Sequence, residues 1–260
     1  MLRTLVGAIA VCAAATISSA QERPLPLSAL RSGSTFVGAN VRAMQSDDAA
    51  NPGLLWVESG EKLWNAPAGK ADRSCASCHG NAAASMRGVA THYPRYDATS
   101  GKLFDLEARI NDCQVRRQQT SASQRESDDL LALSAYVGYQ SRGLPLAVVI
   151  DSATRAAFER GRAFYYRRHG QMNLSCAHCH EQHWGRRLLN ESISQGHGNA
   201  FPAYRLEWQN LGSLQRRIRA CLFGVRAAMP PAVSPELTET ELFLAWRAEG
   251  LPLETPGVRR

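Results

Sequence analysis

Apolar residues recur at three- and four-residue spacing in four stretches of the chain, which predicts four amphipathic helices. The second and fourth stretches begin at a serine suited to a helix N-cap and run towards a glycine. No long stretch alternates apolar and polar residues as a half-buried strand would, so the predicted fold class is mainly α. The four stretches are WVESGEKLW, SDDLLALSAYVGYQ, ATRAAFERGRAFYYRR and SPELTETELFLAWRAEG, at 56–64, 127–140, 153–168 and 234–250.

The same order of segments occurs twice along the chain, which indicates an internal repeat. Gly60-Glu-Lys-Leu-Trp64 and Gly161-Arg-Ala-Phe-Tyr165 each stand 15 residues before a cysteine, Cys75 or Cys176. One segment is seven residues longer in the second half, and RRLLNESISQGHGNAF within it predicts a loop. The other matching pairs are Tyr93-Pro94-Arg-Tyr96 with Phe201-Pro202-Ala-Tyr204, Arg109-Ile110 before Cys113 with Arg217-Ile218 before Cys221, and Gly143-Leu-Pro-Leu146 with Gly250-Leu-Pro-Leu253.

Each half carries the motif Cys-x-x-Cys-His. In this motif the two thiols add across the vinyl groups of haem, and the histidine then binds one face of the iron. A thioredoxin-type redox pair has no need of the following histidine, so it explains the motif less well. Two covalently attached haem c groups are therefore predicted, at Cys75-Ala-Ser-Cys78-His79 and Cys176-Ala-His-Cys179-His180.

These features together predict two tandem cytochrome c-like haem domains related by internal duplication, at residues 56–147 and 151–260. Residues 21–55 form an N-terminal extension. Residues 1–20 have an arginine, an apolar run and small residues at the end, which is typical of a secretory signal peptide. Since that run is too short for a permanent span, the mature protein is expected to be periplasmic, with no membrane span.

The composition excludes some classes of protein but does not identify a function. At 44% hydrophobic residues the chain has enough apolar material for a folded core. The formal net charge of +7 falls as the signal peptide is removed and four haem propionates are added, so the protein is basic in patches rather than overall. Short arginine runs such as Arg116-Arg117 fit solvated faces, and no segment indicates binding to nucleic acid.

The position opposite each haem histidine has more than one candidate ligand. Cys113 and Cys221 lie at the same place in the two halves, and a soft thiolate there would lower the haem potential. Met229 is a credible ligand for the second haem, but Ser121 stands at its place in the first half. A disulfide between Cys113 and Cys221 and two inert buried thiols are the remaining alternatives.

An arginine precedes each of these cysteines by four residues, at Arg109 and Arg217. One helical turn separates the two positions, so the guanidinium and the sulfur would share a helix face. The positive charge would favour the deprotonated sulfur. Binding of a haem propionate is the alternative role for these arginines.

On the two Cys-x-x-Cys-His motifs, the paired Arg-Ile-x-x-Cys segments and their order, the chain resembles the SoxA family over essentially the whole mature length. SoxA proteins are the dihaem subunits of SoxAX cytochromes, which begin periplasmic thiosulfate oxidation. The resemblance implies that Cys113 is the distal ligand of the first haem. It further implies that Cys221 is the distal ligand of the second haem and the active-site residue, carried as a persulfide, with Arg217 binding the substrate anion.

The family reaction joins thiosulfate to a cysteine of the carrier protein SoxY, within SoxYZ, and releases two electrons. By resemblance, the chain would form a heterodimer with SoxX, a monohaem cytochrome c, and pass electrons on to an acceptor cytochrome c. It is thus expected to be an enzyme, an L-cysteine S-thiosulfotransferase. Arginines near Cys221 would attract the thiosulfate dianion by charge-assisted hydrogen bonds; they are Arg216, Arg217, Arg219 and Arg226.

Two other functions stay open at this point. A dihaem thiosulfate dehydrogenase, which forms tetrathionate, would need only one cysteine ligand, whereas this chain has two in matching register. A non-catalytic electron-transfer cytochrome would use Met229 on the second haem. His197, within the extra segment of the second half, could line a substrate entrance, but a surface position is the expectation.

Overall fold

The computed structural model of the chain describes residues 23–260, so the predicted signal peptide at 1–20 lies outside the described residues. The described chain is mainly helical, as predicted. Its α-helices are α1 (Ala39–Ser46), α2 (Leu54–Asn65), α3 (Cys75–His79), α4 (Ala82–Ser85), α5 (Leu106–Cys113), α6 (Asp128–Tyr139), α7 (Arg155–Tyr166), α8 (Cys176–His180), α9 (Leu214–Gly224) and α10 (Pro235–Arg247). Its strands are β1 (Arg95–Asp97), β2 (Lys102–Phe104), β3 (Arg187–Leu188), β4 (Glu191–Ser192), β5 (Ala203–Arg205), β6 (Asn210–Gly212) and β7 (Gly257–Arg259).

All four predicted helices are confirmed, as α2, α6, α7 and α10, and they pack in two pairs, α2 on α6 and α7 on α10. Each pair crosses at the glycine that opens the repeated segment. A Cβ atom on Gly60 would lie 2.2 Å from the carbonyl oxygen of Ala132, and one on Gly161 would lie 1.9 Å from that of Glu239. Both crossings therefore require a residue without a side chain, which explains the matching glycines in the sequence.

Each helix pair builds its own apolar core. In the first half, Val57, Trp64 and Leu131 are buried at the α2–α6 contact. In the second, Phe158 and Phe243 are almost fully buried, with ring centroids 5.5 Å apart. The aromatic content of the second core follows from the α7 and α10 sequences, which place rings on facing sides of the crossing.

A short antiparallel hairpin precedes the cysteine-bearing helix in each half. Strands β1 and β2 lead into α5, and β5 and β6 lead into α9. Strand β7, near the C-terminus, adds to β5 in parallel. The extra segment of the second half was predicted as a loop, and it contains a further hairpin, β3–β4. Its strands have only two residues each, too few to produce an alternating pattern.

The two repeated Gly-Leu-Pro-Leu segments pair with each other and join the halves. The Leu146 N–H donates to the Leu251 carbonyl at 3.0 Å, and the Leu253 N–H donates to the Leu144 carbonyl at 2.9 Å. The repeat therefore supplies both sides of this connection.

Residues 23–53 pack mainly against the second half. The Gln45 side chain bonds Glu254 at 3.0 Å, and Asn51 donates to the Pro256 carbonyl at 2.9 Å. Within residues 23–260, no helix is long and apolar enough to cross a membrane.

Candidate active site

Helix α8 presents the second haem motif. Ser175 caps this helix, and its hydroxyl accepts a hydrogen bond from the His178 N–H. At the other end of the helix, His180 Nδ1 lies 2.8 Å from the carbonyl oxygen of Ser194. Because a carbonyl only accepts, Nδ1 carries the proton, and the unprotonated Nε2 is left to bind iron.

Helix α9 brings Arg217 and Cys221 to the same place. Ser213 caps the helix by accepting from the Arg216 N–H at 3.1 Å, which fixes where the first turn begins. Arg217 then lies one turn before Cys221 on the same helix face. The Cys221 sulfur is in hydrogen-bonding contact with His180, so two residues 41 positions apart in sequence meet across the site.

The electrostatics of this site favour a thiolate. Burial raises the pKa of the Cys221 thiol, but the neighbouring positive charges, chiefly that of Arg217, outweigh it and bring that pKa to about 7, from 9.0. The predicted influence of the arginine on the cysteine is therefore present.

One arginine that acts on Cys221, Arg205, was not among the four predicted from the sequence. Arg205, the last residue of β5, also lowers the pKa of Cys221, and its side chain is only 6% exposed. Glu207 binds its guanidinium at 3.0 and 2.7 Å, and the Trp208 ring lies 5.0 Å from it. A sequence signal existed, because Arg205 follows directly after Phe201-Pro202-Ala-Tyr204, the repeated segment.

The first haem motif lies on α3 in a related setting. Ser74 caps this helix by accepting from the Ser77 N–H at 2.9 Å. The His79 ring packs against Trp64 with 5.7 Å between centroids, and Trp64 Nε1 donates to the Gly80 carbonyl at 3.1 Å. Trp64 is thus the residue that positions the first motif against its core.

Arg109 and Cys113 lie one turn apart on α5, as predicted, but their surroundings differ from those of the second pair. Asp97 binds Arg109 at 3.0 Å, and Asp112 binds it at 3.5 Å. Burial raises the pKa of the Cys113 thiol, and Arg109 lowers it too little to compensate. The guanidinium of Arg109 is occupied by carboxylates, which leaves it poorly suited to bind a substrate anion.

All six cysteines of the described chain are free thiols, so the structure contains no Cys113–Cys221 disulfide. Each of the two lies instead beside the motif of its own half. Cys113 affects the pKa of Cys75, and Cys221 affects those of Cys176 and Cys179. The structure therefore groups three thiols and one histidine in each half.

Met229 and His197 lie in different environments. Met229 follows α9 and is 46% exposed. His197 was expected at the surface, and that expectation is wrong, because its side chain is buried and its Nε2 contacts Gln195 at 3.1 Å. Burial, with the nearby charge of Arg247, lowers the pKa of His197 to about 3, so this histidine stays neutral.

The donor sets fit covalent haem c. Within residues 23–260, no group of three or more His, Cys, Asp or Glu side chains is arranged to hold a metal ion by itself. Each half instead offers a thiol pair, one histidine and one further cysteine. The buried Nε of Arg219, two residues before Cys221, has no hydrogen-bond acceptor within the described chain, and propionate carboxylates are groups that such nitrogens bind.

Comparison with known proteins agrees with this chemistry. Residues 59–146 match the family model described as "SoxA/TsdA, cytochrome c domain". The chain is 39% identical to the L-cysteine S-thiosulfotransferase subunit SoxA of Pseudaminobacter salicylatoxidans over 88% of this chain and 80% of that protein. The chain belongs to the SoxA family. The subunit of the same name from Rhodovulum sulfidophilum is 37% identical, again over 88% of this chain and 80% of that protein.

A solved structure extends the SoxA likeness to the fold. The crystal structure of SoxXA from P. pantotrophus matches with a TM-score of 0.86 at 35% identity, over 89% of this chain and 87% of the matched chain. The predicted resemblance to SoxA and the prediction of a cytochrome c domain are therefore confirmed. The enzyme prediction agrees with the names of the SoxA relatives.

Proposed function

We propose that this chain is the haem-carrying subunit of a periplasmic L-cysteine S-thiosulfotransferase, which joins thiosulfate to a cysteine of a SoxY-type carrier. One observation carries the proposal. Cys221, unlike Cys113, lies against a histidine and an arginine that no carboxylate within the described chain pairs with. The names of the SoxA relatives support the same activity.

Two haem c groups would be held in matching ways. Cys75 and Cys78 would bind the first haem, and Cys176 and Cys179 the second. His79 and Cys113 would ligate the iron of the first haem, and His180 and Cys221 that of the second. Each haem, when bound, accepts one electron at a time. The Nδ1 contact of His180 and the position of Cys113 and Cys221 beside the thiols of their own motifs support this assignment.

The residues around Cys221 would perform sulfur transfer. Arg217 binds the thiosulfate dianion and holds its outer sulfur near Cys221. In the overall reaction, an S–S bond forms between that sulfur and the carrier cysteine, the thiol proton is released and two electrons leave. The low pKa of Cys221 favours a thiolate, which can take the outer sulfur of thiosulfate with sulfite as the leaving group, and we propose that Cys221 carries the resulting persulfide.

The partners follow from the reaction. A SoxX-type monohaem cytochrome c would form a heterodimer with the chain, since the P. pantotrophus relative was solved as SoxXA. SoxYZ would deliver the carrier cysteine, and an acceptor cytochrome c would remove the electrons. We further propose that the domains at 56–147 and 151–260 arose by internal duplication. The matching order of helices and hairpins supports this.

The rival functions make different demands on the site. A thiosulfate dehydrogenase would use the same cysteine but no carrier protein. An electron-transfer cytochrome would use Met229, whose exposed position after α9 supports it less well than the position of Cys221 supports a thiolate. These demands can be separated experimentally.

The experiment is mass spectrometry of the Cys221 peptide under non-reducing conditions, before and after incubation with thiosulfate. We expect an added sulfur atom or a thiosulfate adduct on Cys221 and an unchanged Cys113 peptide. Turnover should then require a carrier protein that has its cysteine. Tetrathionate formation without a carrier would establish the dehydrogenase, and an unreactive Cys221 would overturn the proposal.

A further inference from the structure

The N-terminal segment at residues 23–53, called the leader below, contacts the loop beside His180 of the second haem motif. One buried side chain, Gln195, makes this contact. Gln195 is 0% exposed, and both ends of its amide bond the leader. The Arg31 N–H donates to Gln195 Oε1 at 2.8 Å, and Gln195 Nε2 donates to the Ala29 carbonyl at 3.1 Å. These two hydrogen bonds join the leader to the loop at 194–197, much as a pair of backbone hydrogen bonds joins two neighbouring strands.

The same loop holds the ring of His180. The Ser194 carbonyl, one residue before Gln195, accepts from His180 Nδ1 at 2.8 Å. Gly196, one residue after it, lies against the ring, since a Cβ there would be 2.7 Å from the His180 Cγ atom. The residues on both sides of Gln195 therefore contact the imidazole, and Gln195 fixes the backbone between them.

Further contacts stabilise the loop from the second half itself. Arg247 Nη1 donates to the Gln195 carbonyl at 3.1 Å, and the side chain of Arg247 is 1% exposed. Asn199 donates to the Ser32 hydroxyl of the leader at 3.1 Å. The loop is thus held between the leader and α10.

The first half has no such arrangement within the described chain. Its segment between haem motif and Tyr93-Pro94 is seven residues shorter. The ring of His79 packs on Trp64, and no hydrogen bond to His79 Nδ1 occurs among residues 23–260. The leader contacts therefore distinguish one haem site from the other.

We propose that Gln195 is a positioning residue through which the leader holds the Ser194 carbonyl on His180 and thereby tunes the axial histidine of the second haem. A hydrogen bond from the outer ring nitrogen fixes the orientation of a ligating histidine and increases its basicity. A more basic ligand stabilises the oxidised iron. Loss of the contact should therefore raise the reduction potential of the second haem. The inference rests on the proposed role of His180 as a haem ligand.

The test is a redox titration of the full-length holoprotein carrying Gln195→Leu, with the first haem as internal control. We expect the reduction potential of the second haem to rise and its EPR g-values to change. The potential and the g-values of the first haem should stay constant. Equal shifts at both haems, or an unchanged second haem, would overturn the proposal.

A second pair of variants leaves Gln195 in place and keeps the proposal testable if Gln195→Leu does not fold. Arg31→Pro removes the backbone N–H that donates a hydrogen bond to Gln195. The preceding residue, Leu30, has φ −67° and ψ 134°, a conformation that suits a residue before proline. Arg31→Ala keeps the N–H and is the matched control. A higher reduction potential of the second haem in Arg31→Pro but not in Arg31→Ala supports the proposal. Equal potentials in the two variants contradict it.

Failure of this inference differs from failure of the proposed function. If peptide analysis finds haem on Cys176 and Cys179 and turnover proceeds, the proposed function stands whatever the Gln195 variant does. If Cys221→Ala retains turnover, the proposed function fails, while the potential of the second haem still reports on Gln195.

Discussion

Cys113 in the first half and Cys221 in the second occupy the same position of matching helices, four residues after an arginine. Burial raises the pKa of both thiols. In the first half burial prevails and the pKa of Cys113 is raised, whereas in the second it ends near 7. Two sites with the same backbone frame therefore differ in electrostatics.

One charge difference between the halves lies at the end of the first hairpin strand before each helix. Asp97 ends β1 and binds Arg109, while Arg205 ends β5 at the corresponding place. A carboxylate in the first half thus neutralises the arginine that would act on the cysteine. In the second half a cation adds to Arg217. A second charge difference adds to this reversal, because Asp112 raises the pKa of Cys113 and the matching position on α9 is Ala220.

The largest expected effect comes from removing each sulfur in turn. Cys221→Ser should lower turnover by about 10³-fold or more, the scale of losing a group that reacts covalently. Cys113→Ser should retain most of the activity, since the proposed reaction uses Cys113 only as a haem ligand. Steady-state assays with thiosulfate and carrier protein measure both. Equal losses in the two variants would break the comparison and indicate that the first haem takes part in turnover.

The two arginines should differ by a smaller factor. A hydrogen bond to a charged group contributes about 1.5–3 kcal/mol, so Arg217→Gln should lower kcat/KM for thiosulfate by about 10- to 100-fold. Arg109→Gln should have little effect, because Asp97 and Asp112 already occupy that guanidinium. If Arg109→Gln were equally damaging, substrate binding would have to be assigned to both halves.

Arg205 should act through its field rather than by contact, because Glu207 already binds it. Arg205→Gln is expected to raise KM for thiosulfate by about tenfold, equivalent to about 1.4 kcal/mol, with a smaller change in kcat. Arg205→Lys is the matched control, since it keeps the positive charge but loses the guanidinium that lies 5.0 Å from the Trp208 ring. Comparable kinetics in both variants would show that packing on Trp208, not charge near Cys221, is responsible.

The sequence predicted the helices and the haem motifs because both depend on local patterns. The apolar spacing of α2, α6, α7 and α10 reflects burial against one partner helix, and each motif lies within five residues. The contact between His180 and Cys221 was accessible only through the resemblance. The charge reversal at Asp97 and Arg205 stood in the sequence, one residue beyond the repeated segment used to match the halves.

What the sequence left out depends on long-range packing. Gln195 bonds residues 164 and 166 positions away, and no local pattern marks a glutamine as fully buried. His197 was placed at the surface from its residue type, but the leader and α10 cover its loop. Such residues become predictable only when the leader has been positioned on the second half.

The smallest expected effect concerns a buried difference between the halves. Glu107 stands on α5 where Gln215 stands on α9, and its Oε2 atom is buried without a hydrogen-bond partner. Burial raises its pKa to about 8, assisted by the neighbouring Asp105 and Glu126 and opposed by Arg125, whose Nε lies 3.5 Å away. Glu241 from α10 faces the same cluster, and burial raises its pKa as well.

The sign of the pH dependence follows from proton binding. Between pH 4.5 and about 8, the folded chain keeps a proton on Glu107 that the unfolded chain has released. Stability from this group is therefore greatest below pH 4.5 and declines as the pH rises to about 8. Glu107→Gln, which copies the second half, should flatten that decline and raise the thermal midpoint at pH 8 by about 2–4 °C for each kcal/mol recovered.

Thermal unfolding of the holoprotein between pH 5 and 8.5 measures this, with the exposed Glu58→Gln as control. The control should reproduce the wild-type slope. A Glu107→Gln profile that also keeps that slope would assign the proton to Glu241 instead. The pH dependence would then come from Glu241 of the second half. Gln215 connects that residue to the cluster, because it donates to Asp105 at 2.8 Å and also bonds Glu241. In that case Glu241→Gln, not Glu107→Gln, should remove the pH dependence.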